Sequence, residues 1–276
     1  MIPARLLALP LFILFGLLVY LASSDGAVWS TALIPVAVLI ALLLVFSPQI
    51  NWWWWQRYPP DLPGGLSDML QQRFAYYQRL TPGEQREFRR RTFLFMQAHD
   101  FMPQVFKKVP EDVQMMLAAP AVALTFAREE FRFPEYEHVV VYPHPFPSPQ
   151  FPEHMHIAEY YEPDGVLIFS AEHIGRGFME PHQYLNPSWY TFGQLCWLAF
   201  ADGQALPDLH WDDLETISRF SREGTEQWFG LPELDTTALA VTYFFLFPER
   251  FQVQLPDHYT LLSRIFEQDP LIFQRP

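Results

Sequence analysis

Two long apolar runs open the chain and predict membrane-spanning helices. Residues 6–24 and 26–56 contain no charged side chain. Each run has about 20 apolar residues, which is enough to cross a hydrocarbon core of about 30 Å as a helix. The segment Ser23-Ser24-Asp25-Gly26 between them has the composition of a turn. The pattern therefore predicts a transmembrane helical hairpin in residues 1–56, with spans at 6–24 and 28–48. A cleaved signal peptide followed by a single anchor is the alternative.

The few charges beside these runs predict the orientation of the hairpin. Arg5 precedes the first run, Arg57 follows the second, and the connecting loop carries only Asp25. Because positive charges remain on the cytoplasmic side, we expect a two-pass protein of the bacterial cytoplasmic (inner) membrane with both termini in the cytoplasm. The second run ends in four indoles, Trp52, Trp53, Trp54 and Trp55. We expect these at the level of the lipid headgroups, where ring and N–H meet different media. A cluster packed inside protein is the other interpretation.

The rest of the chain shows helical periodicity with a few strand patterns in its middle. Residues 57–65 are rich in Pro and Gly and predict a linker. Thr81-Pro82-Gly83-Glu84 has the pattern of a capped helix start. Helices are predicted at 66–80, 81–99, 111–129, 188–201, 211–221, 235–247 and 257–268. Strands are predicted at His138–Tyr142, Ile157–Tyr161 and Val166–Ser170, with a turn at 163–165. The expected fold class is α+β: a helix-rich cytoplasmic domain over 66–276 with a small central sheet.

Composition excludes several classes of protein. A single cysteine makes no intramolecular disulfide, and it leaves no zinc finger and no cysteine-ligated iron–sulfur cluster within one chain. The balance of 18 Lys and Arg against 31 Asp and Glu gives a net charge of −13, which argues against binding nucleic acid. The mean hydropathy of 0.00 averages an apolar hairpin with an acidic domain. We expect the lipid bilayer and other membrane or cytoplasmic proteins as partners.

Five stretches between residues 78 and 271 carry a family resemblance. They are Leu80-Thr81 with Glu84-Gln85, the run MMLAAPAVALTF leading to VVVYPHPF at 139–146, DGVLIFS at 164–170, Ala240–Phe245 with Pro248–Phe251, and Gln268–Leu271. In this order they resemble the Mlc titration factor A (MtfA) family of zinc-dependent peptidases. The resemblance implies a gluzincin-like peptidase fold after the hairpin. It also implies a zinc site made by a His-Glu-x-x-His helix and a Glu from a later helix.

The chain departs from that family at every expected ligand position. Alignment on Asp202 places Leu195, Cys196 and Ala199 where the family has His, Glu and His, and the later Glu is replaced by Thr242. Residues 185–206 contain no His and no Glu in any register. Leu and Ala do not bind zinc, and a lone Cys in an apolar helix is usually an inert thiol. We therefore expect no catalytic residue, no zinc and no other cofactor.

These features predict a membrane-anchored, catalytically inactive MtfA-like pseudopeptidase. It would act as a protein-binding, regulatory or scaffolding subunit at the cytoplasmic face of a membrane complex. The resemblance also implies a substrate cleft beside the zinc helix, and without zinc this cleft can still accept a peptide by strand addition near residues 157–170. The alternative is an active membrane-tethered metallohydrolase with its metal relocated to His154 and His156, because a His-x-His pair on a strand directs both rings to one face. A thiol hydrolase that uses Cys196 is a further alternative.

Overall fold

The computed structural model describes residues 3–25, 27–105, 107–207 and 209–271, without the side chains of residues 3, 24, 25, 27 and 28. Gly26 of the predicted turn lies outside the described residues, as do residues 272–276 of the predicted domain. The chain forms two compact units, Met1–Pro60 and Asp61–Pro276.

The first unit consists of two long apolar helices and a shorter one. They are α1 (Pro3–Asp25), α2 (Ala27–Val45) and α3 (Ser47–Arg57). Leu18 of α1 packs with Val36 and Ile40 of α2, and these three side chains are buried. The backbone N–H of Ala4 donates a 3.0 Å hydrogen bond to Oδ1 of Asn51. The beginning of α1 and the beginning of α3 therefore lie at the same end of this unit.

One helix of the first unit, residues Ala4–Ser23, is long and apolar enough by itself to span a membrane. The second predicted span differs from the expectation, because its helix ends at Val45 rather than continuing to 48. A bend of 59° separates Trp29–Val45 from Ser47–Arg57. Pro48 lies in the first turn of α3, where its ring and missing N–H prevent continuation of the preceding helix. A second span requires this bent pair to cross as one segment.

The four tryptophans lie on α3, beyond the bend. Trp53 and Trp54 are exposed, at 63% and 41%, and Trp52 and Trp55 are half-buried. No residue of α3 is buried. The exposed rings are therefore available to a surrounding medium rather than enclosed within the protein.

The second unit contains a four-stranded sheet. Its strands are β1 (Asp100–Pro103), β2 (His138–Tyr142), β3 (Ala158–Tyr161) and β4 (Val166–Ser170), in the order β1-β2-β4-β3. The first three in that order are parallel, and β3 runs antiparallel to β4, with Ala158 opposite Phe169 and Tyr161 opposite Val166. Gly165 turns the chain between them with φ of 60°, and a Cβ there would collide with the Glu135 carbonyl. Because β3 stands at the end of the strand order, it is an edge strand.

Helices surround this sheet and make up most of the second unit. They are α4 (Gly64–Arg73), α5 (Ala75–Arg79), α6 (Pro82–Ala98), α7 (Glu111–Leu124), α8 (Ala171–Met179), α9 (Pro187–Phe200), α10 (Trp211–Ser218), α11 (Arg222–Phe229), α12 (Thr236–Leu246), α13 (Pro248–Gln254) and α14 (Pro256–Phe266). The predicted helix-rich α+β class with a small sheet is confirmed. The start of α6 is confirmed as a capping box, since Glu84 Oε2 accepts from the Thr81 N–H at 2.8 Å and Thr81 Oγ1 accepts from the Glu84 N–H.

Several boundaries differ from the sequence prediction. The helix expected at 66–80 is broken at Phe74, whose ring stacks on Phe178 and Trp189 at 5.8 and 5.6 Å. The backbone of Phe74 is extended. Packing of its ring against these distant partners therefore outweighs the local helical preference of the surrounding residues. The helix expected at 111–129 ends at Leu124. The short elements β1, α8, α11 and α13 were not predicted.

The core is formed mainly by α7, α9 and α12. Nearly every residue of α7 is buried, and α9 contacts both α7 and α12. A Cβ on Gly193 of α9 would stand 3.3 Å from the Ala238 carbonyl oxygen and 3.3 Å from Thr242 Oγ1. The glycine therefore allows α9 and α12 to approach closely. This contact determines which face of α9 is directed toward the sheet.

Candidate functional site

A cavity of about 590 Å³ lies between edge strand β3 and helix α9. Its wall combines strand, helix and loop residues from four parts of the second unit. The lining residues are Gln150, Phe151, Ala158, Glu159, Tyr160, Tyr161, Glu162, Pro163, Tyr190, Thr191, Gln194, Leu231, Glu233, Leu234 and Asp235. All four residues of β3 take part. The cavity is thus a cleft with a sheet edge on one side and a helix on the other.

Three residues of α9 face this cleft: Tyr190, Thr191 and Gln194. They stand at positions i, i+1 and i+4 of the helix, which is the spacing of the two histidines and the glutamate in a His-Glu-x-x-His helix. Helix α9 begins where the Asn186 side chain accepts a hydrogen bond from the Ser188 N–H at 2.9 Å. This cap places Tyr190 one turn into the helix, directly at the cleft.

The hydroxyl of Tyr190 is held by two donors. The backbone N–H of Asp235 donates to its oxygen at 2.9 Å, and the Gln194 amide donates at 3.3 Å. Burial raises the pKa of Tyr190, so the hydroxyl keeps its proton at neutral pH. Among the residues that the structure describes, no acceptor is found for that proton. The O–H group of a side chain that is 4% exposed is therefore left for a ligand in the cleft.

The positions predicted from the Asp202 alignment do not line the cleft. Leu195 and Cys196 are buried away from it, and Ala199 is exposed near the end of α9. Thr242 is fully buried, and its hydroxyl donates to the Ala238 carbonyl at 2.8 Å. In the structure, the His-Glu-x-x-His spacing faces the cleft five residues earlier than that alignment places it. Burial also raises the pKa of the Cys196 thiol, which disfavours the thiolate that a nucleophile needs.

A sequence signal for two of the cleft-facing residues, Thr191 and Gln194, was present in α9. Within its apolar run, the polar residues Ser188, Thr191 and Gln194 recur every three positions. Such a stripe lies on one face of a helix. The alignment on Asp202 instead places the ligand positions at Leu195, Cys196 and Ala199, which lie outside the cleft lining.

His154 and His156, the predicted alternative metal ligands, lie in different environments. His154 is exposed, whereas the His156 ring is fully buried. Both residues precede β3, and His156 is joined to Phe146 by an isolated bridge. The expected arrangement, with both rings on one face of a strand, is therefore not observed.

Both nitrogens of His156 already face oxygen atoms. Nδ1 lies 3.0 Å from the His154 carbonyl, and Nε2 lies 2.8 Å from Glu159 Oε2. A carbonyl only accepts, so Nδ1 donates, and a second proton lies between Nε2 and the carboxyl group. No lone pair of this ring is left for a metal in this arrangement.

The α9 side chains at the cleft do not fit zinc. Zinc sites in proteins use Cys thiolates, His nitrogens and carboxylates, whereas α9 offers a phenol, a hydroxyl and an amide at the family spacing. Over the described parts of the chain, no group of three or more His, Cys, Asp and Glu side chains is arranged to hold a metal ion. The chemistry that these residues support is hydrogen bonding to a ligand.

Comparison with known proteins finds a family match and a similar protein. Residues 51–186 match the sequence profile of the family described as glucose-regulated metallo-peptidase M90, which confirms the predicted resemblance for that part of the chain. The matched residues include the whole sheet and end directly before α9. The Uncharacterized protein slr2042 of Synechocystis sp. is 22% identical over 170 residues, which cover 59% of this chain and 55% of the relative. The similarity thus spans about half the length of that curated protein.

Proposed function

We propose that this chain is a divergent member of the M90 metallopeptidase family whose cleft binds polypeptide without cleaving it, and that its N-terminal helices tether it to a membrane. The family match covers the sheet and the strand that borders the cleft. Helix α9 and the segment 231–235 that precedes α12 lie beyond the match and complete the cleft from the other side. The proposed divergence concerns α9, the helix on which a metallopeptidase of this family would hold its metal.

The observation that carries this proposal is the set Tyr190, Thr191 and Gln194 at the cleft-facing positions of α9. Two imidazoles at i and i+4 would hold a zinc ion, and the glutamate between them would act on its bound water. Here the i and i+4 side chains bond to each other instead. Neither a general base nor a metal ligand is present at this spacing, so hydrolysis by the family mechanism has no residue to perform it.

The cleft keeps the features that bind a peptide. Among the described residues, the backbone of Ala158–Tyr161 has hydrogen-bonded partners only in β4. The other edge of this strand is open, and the whole strand lines the cavity. An extended peptide adds to such an edge through main-chain hydrogen bonds. Loss of the metal therefore removes catalysis and leaves the binding geometry.

The N-terminal unit supports a membrane location. Residues Ala4–Ser23 are apolar and long enough to span a bilayer, and the start of α1 is bonded to α3 at the same end of the unit. With α2 and α3 crossing as one bent span, both ends of the hairpin stay on one side. Arg5 and Arg57 favour the cytoplasmic side of a bacterial inner membrane. The cleft then serves as a protein-binding, regulatory or scaffolding module for neighbouring membrane or cytoplasmic proteins.

The test uses the full chain purified in nanodiscs. Zinc content is measured by mass spectrometry after dialysis, and a pool of fluorescent nonapeptides is assayed for binding and for cleavage. We expect far less than one zinc per chain, measurable binding and no cleavage. Gln194→Trp fills the cleft and should abolish binding. Leu198→Trp, one turn further on an exposed position outside the cleft, should not.

Two outcomes would overturn the proposal. One zinc per chain that disappears in the His154→Ala/His156→Ala double variant would establish the relocated metal site and a hydrolase. Failure of every peptide in the pool to bind, with a cooperative thermal transition showing that the chain is folded, would remove the binding role.

A further inference from the structure

The wall of the β3–α9 cleft is strongly acidic. Glu162, Glu233 and Asp235 line it, all three are exposed, and none of them forms an ion pair within the described residues. A fourth carboxyl group, that of Glu159, is buried against His156 at 2.8 Å. No Lys, Arg or His is among the lining residues. The cleft therefore presents three carboxylates that form no ion pair within the described residues to whatever enters it.

These charges act across the cleft rather than each in isolation. Burial raises the pKa of the Tyr160 hydroxyl on β3, and the negative charges of Glu162 and Asp235 raise it further. Glu162 follows β3 directly, whereas Asp235 caps α12 on the opposite wall. The edge strand thus lies between carboxylates from both sides, and the field at its side chains is negative.

One buried group in the cleft points to the kind of ligand. The Tyr190 hydroxyl accepts two hydrogen bonds and retains an O–H donor without an acceptor in the described chain. A donor held in this way is suited to a carbonyl oxygen. The open edge of β3 supplies further main-chain donors and acceptors. A simple cation would use the carboxylates but not these groups, whereas a polypeptide uses all of them.

We propose that the β3–α9 cleft selects an extended peptide segment with Lys or Arg at alternate positions. The segment pairs with the edge of β3, and the Tyr190 hydroxyl donates to one of its carbonyl groups. Because side chains alternate along a strand, the Lys or Arg side chains share one face of the peptide, and the carboxylates on both sides of the cleft are available to pair with them. This inference rests on the proposed function, since it names the class of partner that the same cleft accepts.

The experiment compares three probe peptides on the full chain in phosphatidylcholine nanodiscs, because anionic lipid would itself bind a cationic peptide. The probes are fluorescein-labelled nonapeptides in which Val alternates with Lys, with Gln or with Glu. Three exposed ion pairs are expected to make the Lys peptide bind about tenfold more tightly than the Gln peptide at low salt. The Glu peptide should bind most weakly, and the differences should shrink as salt screens the charges.

A charge-neutral cleft tests the origin of the preference. Glu162→Gln/Glu233→Gln/Asp235→Asn removes the three charges, and Asn at 235 preserves the cap of α12. This variant should bind the Lys and Gln peptides equally. The matched control Asp68→Asn/Glu129→Gln/Glu137→Gln makes the same change in net charge at exposed positions outside the cleft. The control should retain the preference.

Each outcome decides a different claim. Equal binding of the three peptides to the natural chain would overturn the charge selectivity while leaving the peptide-binding function intact. Loss of the preference in the control as well would assign it to overall charge and overturn the role of the cleft. Absence of binding by all three peptides and by the mixed nonapeptide pool would remove the proposed function itself.

Discussion

The amide of Gln194 donates a 3.3 Å hydrogen bond to the hydroxyl of Tyr190, one turn earlier on α9. The same hydroxyl accepts from the backbone N–H of Asp235, at the start of α12. A metallopeptidase of this type would place two zinc ligands at these positions of the helix. In this chain the pair joins two helices and orients a phenol toward the cleft. Tyr190 therefore links α9 to the start of α12, and in the proposed function its hydroxyl also donates to the bound peptide.

Removal of the Tyr190 hydroxyl tests this double role. Tyr190→Phe leaves the Asp235 N–H and the Gln194 amide without their acceptor, which we expect to cost about 1–3 kcal/mol of unfolding free energy. Peptide binding should weaken as well. Tyr161→Phe alters an exposed phenol of the same cleft and should change stability by less than about 0.5 kcal/mol. Thermal unfolding of the full chain in detergent gives the comparison, and equal midpoints for the two variants would contradict the prediction.

Two glycines of α8 provide a matched test of packing beside the cleft helix. A Cβ on Gly177 would lie 2.5 Å from the Asn186 nitrogen and 2.8 Å from the Leu185 carbonyl carbon. Backbone atoms cannot move aside as a flexible side chain can, so we expect Gly177→Ala to destabilise the fold by about 3 kcal/mol or more. Gly175→Ala, on the same helix with open space around it, should gain up to about 1 kcal/mol. Thermal midpoints of the two variants that move in the same direction would refute this account.

The thiol of Cys196 should be unreactive in the folded chain. It is fully buried, and burial raises its pKa, so little thiolate forms and reagents do not reach it. We expect maleimide to label it at least about a hundredfold more slowly than an exposed thiol. The control is Cys196→Ala/Ala199→Cys, which moves the thiol to an exposed position on the same helix. Rapid stoichiometric labelling of the natural chain would show that α9 is packed differently.

Mild acid should destabilise the second unit through His99. Burial lowers the pKa of this histidine to about 4, against about 6.5 in the unfolded chain. Between these two pKa values, His99 is protonated in the unfolded state and neutral in the folded state. Its contribution to the free energy of unfolding is therefore fully present above pH 6.5 and is lost as the pH falls toward 4. The loss amounts to about 3 kcal/mol across that window.

A variant without the titrating ring isolates this contribution. His99→Phe preserves an aromatic ring against Phe95, on which His99 stacks at 3.8 Å. Its thermal midpoint should fall less between pH 7 and pH 4.5 than that of the natural chain. The exposed His182 serves as the control, since His182→Phe should leave the pH dependence unchanged. Parallel curves for His99→Phe and the natural chain would disprove the assignment.

The two-pass topology is tested with single cysteines in a Cys196→Ala background. Ser23→Cys lies at the end of α1, and we expect an impermeant maleimide to label it in intact spheroplasts. Glu129→Cys, in the second unit, should be labelled only after permeabilisation. Labelling of Glu129→Cys but not of Ser23→Cys in intact spheroplasts would invert the orientation, and labelling of both from outside would contradict the two-pass topology. A purified chain whose mass lacks the first span would establish the cleaved signal peptide instead.

Local sequence signals were sufficient for most elements of the second unit. The capping box at Thr81 and Glu84 placed the start of α6, because it depends on four consecutive residues. The β-branched run His138–Tyr142 matches β2 at both ends. Features that local patterns did not predict, such as the break at Phe74, depend on contacts with rings that are distant in sequence. A stacking partner such as Trp189 is supplied by the fold and not by the neighbouring residues.

The sequence by itself determined two features: an apolar N-terminal segment with hardly any charge, and a stretch 185–206 without His or Glu. Both depend only on which residues are present. The tertiary structure alone decided which α9 side chains face the cleft. The close approach of Gly193 to α12 fixes the rotation of α9 about its axis and directs Tyr190, Thr191 and Gln194 toward β3. That rotation is set by contacts between residues some 45 positions apart, which periodicity within one helix does not encode.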